Sequence, residues 1–291
     1  MNARNLLWSN VVIAIAASCT VLTTFGLANS TPFRLREWAF ALGIGAATWI
    51  AYTWQRHVKS TRSAGLRPDH LDWHERHEDP LRRWASALLP VALLPVALTL
   101  ESAQALGTAG RSWIPLALLL ASVTATALYA GLPGEQGKRR ALRRIPGVKM
   151  VWIAGSWASI TALWPLWWSS GADGLDLSQA LGIWGERCLV IAALTLPFDL
   201  RDRRWDEAGM RTWPQLLGPG WTRVLGVALV TLAASFRWTQ RPEWGISGLA
   251  VLAAMACAVS MARENRTIGY YGLLDALLIA DALWVGWVLQ P

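Results

Sequence analysis

The stretch LVIAALTLPFDLRDRRWD, residues 189–206, joins an apolar run directly to a cluster of charged residues. The apolar run is typical of a membrane-spanning helix, which needs about 20 mostly apolar residues to cross a bilayer. After it, Asp199, Asp202 and Asp206 follow at i, i+3 and i+7. Because a helix turns by about 100° per residue, we expect these three carboxylates to share one stripe at the membrane surface.

Similar apolar segments recur along the whole chain. Hydrophobic residues make up 54% of the 291 residues and charged residues only 16%, which leaves too little polar surface for a soluble globule. The sequence therefore predicts an all-α, multi-pass transmembrane bundle of about nine helices in a single domain, 1–291. Pro90 and Pro95 interrupt the third segment, so eight spans are the alternative. The predicted spans are 7–28, 37–55, 84–101, 111–131, 148–170, 179–198, 221–238, 244–262 and 271–289.

The net charge of +8 comes from Lys and Arg residues that concentrate in alternate loops. These basic loops lie near 56–83, 132–149 and 199–220. Basic loops stay on the cytoplasmic side of a membrane, so we expect the N-terminus inside the cell and the protein in the cell (inner) membrane. The same pattern explains the basic charge without nucleic-acid binding. Nothing in the sequence predicts an obligate protein partner.

Three carboxylates on one stripe repel each other unless a positive charge lies between them. Mg²⁺ is held in proteins by one or two carboxylates together with waters and substrate phosphates. The stripe therefore favours a site for Mg²⁺ and a phosphate-bearing ligand. The alternative is a solvated helix end whose acids pair with Arg203 and Arg204, and such exposed pairs contribute little.

Residues 199–218 resemble the second aspartate-rich motif of the UbiA superfamily of intramembrane prenyltransferases. That motif reads Asp-x-x-Asp-x-x-x-Asp, followed by Gly, by Thr-x-Pro and by a second Gly. The acids match Asp199, Asp202 and Asp206, and the remaining positions match Gly209, Thr212, Pro214 and Gly218.

Two further segments carry the resemblance. Pro146 and Lys149 match the superfamily pattern Tyr-Pro-x-x-Lys-Arg, whereas Ile145 and Met150 depart from it. The segment 269–275, which contains two tyrosines and an aspartate, is similar to a bacterial branch of the superfamily. The resemblance implies nine helices, an isoprenoid diphosphate substrate, Mg²⁺ held by the three aspartates, and Lys149 on the diphosphate.

The first aspartate-rich motif of the superfamily is lost. At the end of the second predicted span only Arg56 matches, and the acidic positions are occupied by Tyr52, Gln55 and Lys59. The resemblance implies that one of the two Mg²⁺ ions is lost with these acids. Either Arg56 and Lys59 neutralise phosphate charge in place of that ion, or the protein binds an anionic lipid without ionising it.

The predicted function is transfer of a prenyl group from an isoprenoid diphosphate to a lipid-soluble or aromatic acceptor. The main alternative is a non-catalytic relative that binds a prenyl or phosphate lipid as a sensor or scaffold. A transporter is less favoured. Transporters often carry internal repeats and polar sites near the midplane, whereas this chain shows no convincing repeat and its sharpest motif lies at the membrane surface.

Two other groups of residues have more than one interpretation. The four histidines all lie within 56–83, and the i, i+4 spacing of His70 and His74 would suit a zinc site. An amphipathic helix that leads into the third span is the favoured interpretation, and a lid over the site is an intermediate one. The histidines are His57, His70, His74 and His77.

Four ionisable residues lie inside predicted spans, where charge is costly. They are Glu186, Arg187, Asp275 and Asp281. We expect them either to pair between helices or to line the cavity.

Overall fold

The computed structural model describes residues 3–29, 33–60, 68–105, 147–170, 175–203, 212–265 and 268–288, with positions 117, 120, 121 and 124. All regular secondary structure in these residues is helical. Most of the fourth predicted span and of the 132–149 loop lies outside the described residues, as does Asp206. The α-helices are α1 (Ala3–Trp8), α2 (Val11–Asn29), α3 (Leu35–Ser60), α4 (Pro68–Ala92), α5 (Leu94–Ala105), α6 (Val148–Ala158), α7 (Trp164–Ser169), α8 (Leu177–Asp202), α9 (Trp213–Gln240), α10 (Ala250–Ser260) and α11 (Ile268–Val288).

Four helical segments in the described part of the chain are long and apolar enough to cross a membrane. They are Val11–Ala28, Leu71–Ser102, Leu177–Asp202 and Trp213–Gln240. The predicted spans 84–101, 179–198 and 221–238 fall within these segments, whereas the predicted span 7–28 begins four residues too early, because a separate short helix ends at Trp8. The third is broken at Leu93, between α4 and α5, as its two prolines predicted.

Two predicted loops are shorter than expected because helices extend into them. Within 56–83, α3 continues to Ser60 and α4 begins at Pro68. The helix α4 is amphipathic, as the favoured interpretation predicted. Its apolar face is buried, because Trp73 and Leu81 pack against Trp8 and Trp49. Within 199–220, α9 already begins at residue 213.

The helix α8 lies at the centre of the bundle. Asp176 begins it by accepting hydrogen bonds from the backbone N–H groups of Ser178 (2.9 Å) and Gln179 (3.2 Å). Along its length α8 packs against α6 and α9, while α2 packs against α3 and α11. Most of the buried residues of α8 are apolar, and the exceptions are Glu186, Arg187 and Asp199.

A proline explains the irregular step between α6 and α7. Residues Ser159–Leu163 form a π-helix just before Pro165. An α-helix would pair the Thr161 carbonyl with the N–H of residue 165, but proline has no N–H and its ring crowds that carbonyl. The wider turn relieves this crowding, and the Thr24 hydroxyl donates to the Thr161 carbonyl at 2.8 Å. The π-helix is thereby fixed to α2.

Candidate functional site

Two of the three motif aspartates lie in the last turn of α8. Asp199 and Asp202 are one turn apart, as the i, i+3 spacing predicted, and the helix ends directly after them. The third, Asp206, lies outside the described residues. Although they share a stripe, the two side chains have different partners.

Asp199 is bound by Lys149. The Nζ atom of Lys149 lies 2.5 Å from Oδ1 of Asp199, and the Asp199 side chain is only 2% exposed. The other oxygen, Oδ2, is buried and accepts no hydrogen bond from the described residues. Lys149 and Asp199 come from different motifs, so the structure brings these two predicted site residues together.

The position of Lys149 depends on the turn that precedes α6. Gly147 has φ 73°, in the left-handed region that a glycine adopts without strain. Its carbonyl accepts a hydrogen bond from Nε1 of Trp213 at 3.3 Å. A Cβ atom at residue 147 would lie 3.1 Å from the Trp213 ring, closer than most such contacts. The first turn of α9 therefore fixes the start of α6 and, with it, Lys149.

Asp202 is bound by its neighbour in sequence. The Arg201 guanidinium donates to both carboxylate oxygens of Asp202, at 2.5 and 2.8 Å. It also lies over two aromatic rings, 4.5 Å from the centroid of Tyr271 and 5.3 Å from that of Phe198. Arg201 thus links the end of α8 to the start of α11. The sequence did not identify this role of Arg201, although Tyr271 falls in a segment singled out for its resemblance.

Arg56 joins the same corner from α3. It donates a hydrogen bond of 2.7 Å to the Trp8 carbonyl. The pKa of Arg56 is lowered to about 10, chiefly by removal from water and also by the charge of Arg201, while Tyr52, Asp275 and Asp202 act in the opposite direction. These interactions place Arg56 of α3 beside Arg201 and Asp202 of α8 and Asp275 of α11. The Lys59 side chain lies outside the described residues.

We call this group the polar corner. It carries three cationic and three acidic side chains at one end of the bundle. Its members are Arg56, Lys149, Asp199, Arg201, Asp202 and Asp275.

The histidines do not form a metal site in the described part of the chain. No three histidine, cysteine, aspartate or glutamate side chains among those described residues lie close enough together to hold a metal ion. His77 contacts the Trp73 carbonyl through Nδ1 at 2.8 Å, and the ring centroids of His57 and His74 are 6.4 Å apart. His74 is buried, and neither ring nitrogen has a partner among the described residues. The His70 side chain lies outside them.

The tail of the second motif has a structural role at the start of α9. The backbone N–H of Thr212 donates to Oε1 of Gln215 at 3.1 Å, an interaction that begins the helix. Pro214 lies in the first turn, where its missing N–H costs nothing. Gly218 has φ 78° inside the helix and produces a kink there. These residues shape the segment that follows the aspartates.

A second ionic group lies deeper in the bundle. Arg237 of α9 is 1% exposed and donates to Glu186 at 3.1 Å and to Asp281 at 2.5 and 2.9 Å. Glu186 belongs to α8 and Asp281 to α11, so the expected pairing between helices is confirmed for these two residues. Arg237 stands at the end of the predicted span 221–238, and a count of basic residues by loop assigns it to the basic-poor loop that follows. The structure corrects this assignment, because α9 continues to Gln240. Glu186 and Asp281 need a cation if they are buried in an apolar interior, so their presence inside predicted spans could have indicated that a nearby arginine such as Arg237 is also buried.

Comparison with known proteins identifies the fold. No described protein family matches the sequence, and no curated protein sequence matches it. Among solved structures, the apo structure of a UbiA homolog from Aeropyrum pernix K1 matches with a TM-score of 0.60. The identity is 14%, and the match covers 99% of this chain and 98% of that one. The chain therefore has the helical membrane fold of that UbiA homolog, which confirms the predicted fold class.

Proposed function

We propose that this protein binds an isoprenoid diphosphate at the polar corner and transfers its prenyl group to a lipid-soluble or aromatic acceptor. The observation that carries the proposal is the meeting of Arg56, Lys149 and Arg201 with the motif aspartates at one end of an apolar bundle. A diphosphate needs cations and hydrogen-bond donors, and a prenyl chain needs an apolar interior. The polar corner offers the cations, and the apolar helix faces beside it offer an environment for the prenyl chain.

Mg²⁺ is the metal that this proposal implies, and the donor set fits it in part. Oδ2 of Asp199 is a buried carboxylate oxygen that no described residue engages, so it is suited to a hard cation. Both oxygens of Asp202 accept from Arg201, so Asp202 would exchange this partner for the metal. Asp199, Asp202 and Asp206 would hold the ion, which when bound would stabilise the charge of the departing diphosphate.

The protein's own residues would act on the same charge. Arg56 and Lys149, with Lys59, would neutralise phosphate oxygens at the side where the first acidic motif is lost. The electron pair of the broken carbon–oxygen bond leaves with the diphosphate. The allylic cation then accepts an electron pair from the acceptor, which releases a proton. The apolar interior keeps water away from the cation.

One observation favours a second function, metal-independent binding of a phosphate lipid. Each described motif aspartate is already paired with a cation, Asp199 with Lys149 and Asp202 with Arg201. Such a corner can accept a phosphate by exchanging carboxylate partners for phosphate oxygens. In that case the protein would be a lipid sensor or scaffold without ionisation chemistry.

Calorimetry with farnesyl thiodiphosphate, a poorly ionising analogue, distinguishes these functions. The detergent-purified protein is titrated with the analogue twice, once in buffer that contains Mg²⁺ and once in buffer that contains a chelator instead. We expect binding that weakens at least tenfold when Mg²⁺ is removed. Equal affinity in both conditions would replace the enzyme with the phosphate-lipid receptor. No binding in either condition would reject both functions.

A further inference from the structure

Arg187 interrupts the most deeply buried face of α8. It follows Ile183 by one turn and precedes Val190 and Leu194, and these four residues share one stripe of the helix. The three apolar members are at most 5% exposed, and Arg187 is 1% exposed. A guanidinium therefore lies in the interior of the bundle, surrounded along its own helix by apolar side chains. A charge at this depth is costly and marks a functional site by default.

The hydrogen-bonding capacity of Arg187 is not used within the described residues. Its Nε and Nη2 atoms are buried and have no partner there. The nearby acids do not satisfy it, because Glu186 and Asp281 are bonded to Arg237. One oxygen of Glu186, Oε2, is likewise buried and accepts no hydrogen bond from the described residues. Two donors and one acceptor thus remain available at adjacent residues of α8.

The charge balance of the cluster restricts what can bind these atoms. Glu186 and Asp281 carry two negative charges, Arg237 carries one positive charge, and Arg187 brings the sum to zero. A bound anion would leave a net negative charge in a medium of low dielectric, which is strongly unfavourable. An uncharged oxygen avoids this cost. A hydroxyl group fits best, because its oxygen accepts from Arg187 and its proton is donated to Glu186.

A neighbouring face of α8, next to Arg187, packs against the irregular segment between α6 and α7. Trp184 and Cys188 flank Arg187 in sequence, and they donate to Oγ of Ser159 at 3.4 Å and to the Ala154 carbonyl at 3.8 Å. Ser159 is the first residue of the π-helix, and π-helical turns are frequent at binding sites. Arg187 and the π-helical segment lie well away from the polar corner. Twelve residues separate Arg187 from Asp199 along α8, which corresponds to about 18 Å.

We propose that Arg187 and Glu186 form a second binding site, inside the bundle, for the uncharged hydroxyl end of a lipid-soluble molecule. The site does not depend on prenyl transfer at the polar corner. Its ligand is a neutral amphiphile whose apolar part lies against the interior of the bundle. The two donors of Arg187 and the free oxygen of Glu186 select the head group, and the neutral cluster discriminates against carboxylates and phosphates.

Photolabelling with head-group variants tests this site. Three probes have the same apolar chain with a diazirine near one end. They differ only in the group at that end, which is a hydroxyl in the first, a carboxylate in the second and a methyl end without a polar group in the third. After irradiation of the purified protein, labelled residues are mapped by mass spectrometry. We expect the hydroxyl probe to label 183–191 at least tenfold more than either other probe. Equal labelling by all three, or preference for the carboxylate, would overturn the proposal.

A charge-balanced variant provides the second arm. Arg187→Met with Glu186→Gln removes both free groups and keeps the cluster neutral. The matched control is Arg223→Met, at a partly exposed position where the arginine, among the described residues, bonds only the Pro219 carbonyl of its own helix. We expect the paired variant to lose labelling by the hydroxyl probe at least tenfold and the control to retain it. Retained labelling in a folded paired variant would overturn the proposal. If that variant does not fold, the wild-type comparison of head groups decides alone.

Asp202→Asn separates this proposal from the one for the polar corner. We expect this substitution to abolish binding of farnesyl thiodiphosphate and to leave labelling of 183–191 by the hydroxyl probe within twofold. Loss of both would show that there is one continuous site and would overturn the inference. Loss of neither would reject the function proposed for the polar corner while leaving the second site supported.

Discussion

Lys149, in the first turn of α6, holds Asp199, in the last turn of α8, through an ion pair of 2.5 Å in which the aspartate is almost completely buried. The pair joins two segments that are 50 residues apart in sequence. It also sets the orientation of the aspartate, because one oxygen faces Lys149 and the other remains available. Lys149 therefore has a positioning role in addition to its charge.

Removing Lys149 should destabilise the fold through the charge that it leaves behind. Loss of one partner of a buried ion pair costs about 3 kcal/mol or more. We expect Lys149→Met to lower the thermal unfolding midpoint in detergent, and Lys149→Met with Asp199→Asn to recover more than half of the loss. An unchanged midpoint in the single variant would show that Asp199 does not depend on this pair.

Asp202 should be essential for binding a diphosphate lipid. We expect Asp202→Asn to abolish calorimetrically detectable binding of farnesyl thiodiphosphate, because the amide is a poor ligand for Mg²⁺ and no longer counters Arg201. Glu75→Gln, an exposed acid on α4, is the matched control and should bind as the wild type does. Unchanged affinity in Asp202→Asn would reject the metal site.

Arg56 should keep the polar corner charged at all physiological pH values. Burial lowers its pKa only to about 10, so the guanidinium stays protonated below that pH. A lysine starts from a lower pKa, and the same burial would bring it toward neutral pH. We expect wild-type affinity for farnesyl thiodiphosphate to change less than twofold between pH 6.5 and 9. Arg56→Lys should bind well at pH 6.5 and at least fivefold more weakly at pH 9, and a parallel profile for both proteins would contradict this role.

His74 should not be a metal ligand. We expect His74→Ala to retain Mg²⁺-dependent binding of farnesyl thiodiphosphate within twofold, since the proposed ligands of the ion are Asp199, Asp202 and Asp206. Metal analysis of the purified wild type should find no stoichiometric zinc. A large loss of affinity together with bound zinc would restore the zinc interpretation of His70 and His74.

Arg237 should be among the most important residues for stability. Arg237→Gln leaves the carboxylates of Glu186 and Asp281 buried without a cation, at a cost of about 3–5 kcal/mol. We expect a large fall in the unfolding midpoint, whereas Arg223→Gln, at a partly exposed position of the same helix outside this network, should leave it nearly unchanged. Adding Asp281→Asn to Arg237→Gln leaves Glu186 and Arg187 as the two remaining charges and makes the cluster neutral again, so it should restore part of the stability. Equal midpoints for Arg237→Gln and Arg223→Gln would contradict a buried network.

The sequence predicted the fold class because apolar segments of membrane length are a strong signal that does not depend on tertiary contacts. Asp199 and Asp202 were predicted to be one turn apart, and they are. Their partners were harder to predict. Arg201 is adjacent to Asp202, and consecutive residues of a helix do not normally face each other, so this pair was not expected.

Arg237 shows a different limit of the sequence. A count of basic residues by loop treats every arginine near a predicted span end as exposed, and this rule placed Arg237 outside the membrane. Only the length of α9 and the facing acids of α8 and α11 reveal that it is buried. Lys149 and Asp199 could be associated through the resemblance, but their direct ion pair required the three-dimensional arrangement of α6 and α8.

The network of Arg237 with Glu186 and Asp281 also imposes an order on biosynthesis. During translation α8 emerges with Glu186 and Arg187 before α9 supplies Arg237 and before α11 supplies Asp281. Each unpaired charge near the centre of a span disfavours release from the translocon into lipid by about 3 kcal/mol. The helix α8 is therefore expected to stay at the translocon until its partners arrive, so that α8 to α11 enter the bilayer as a group.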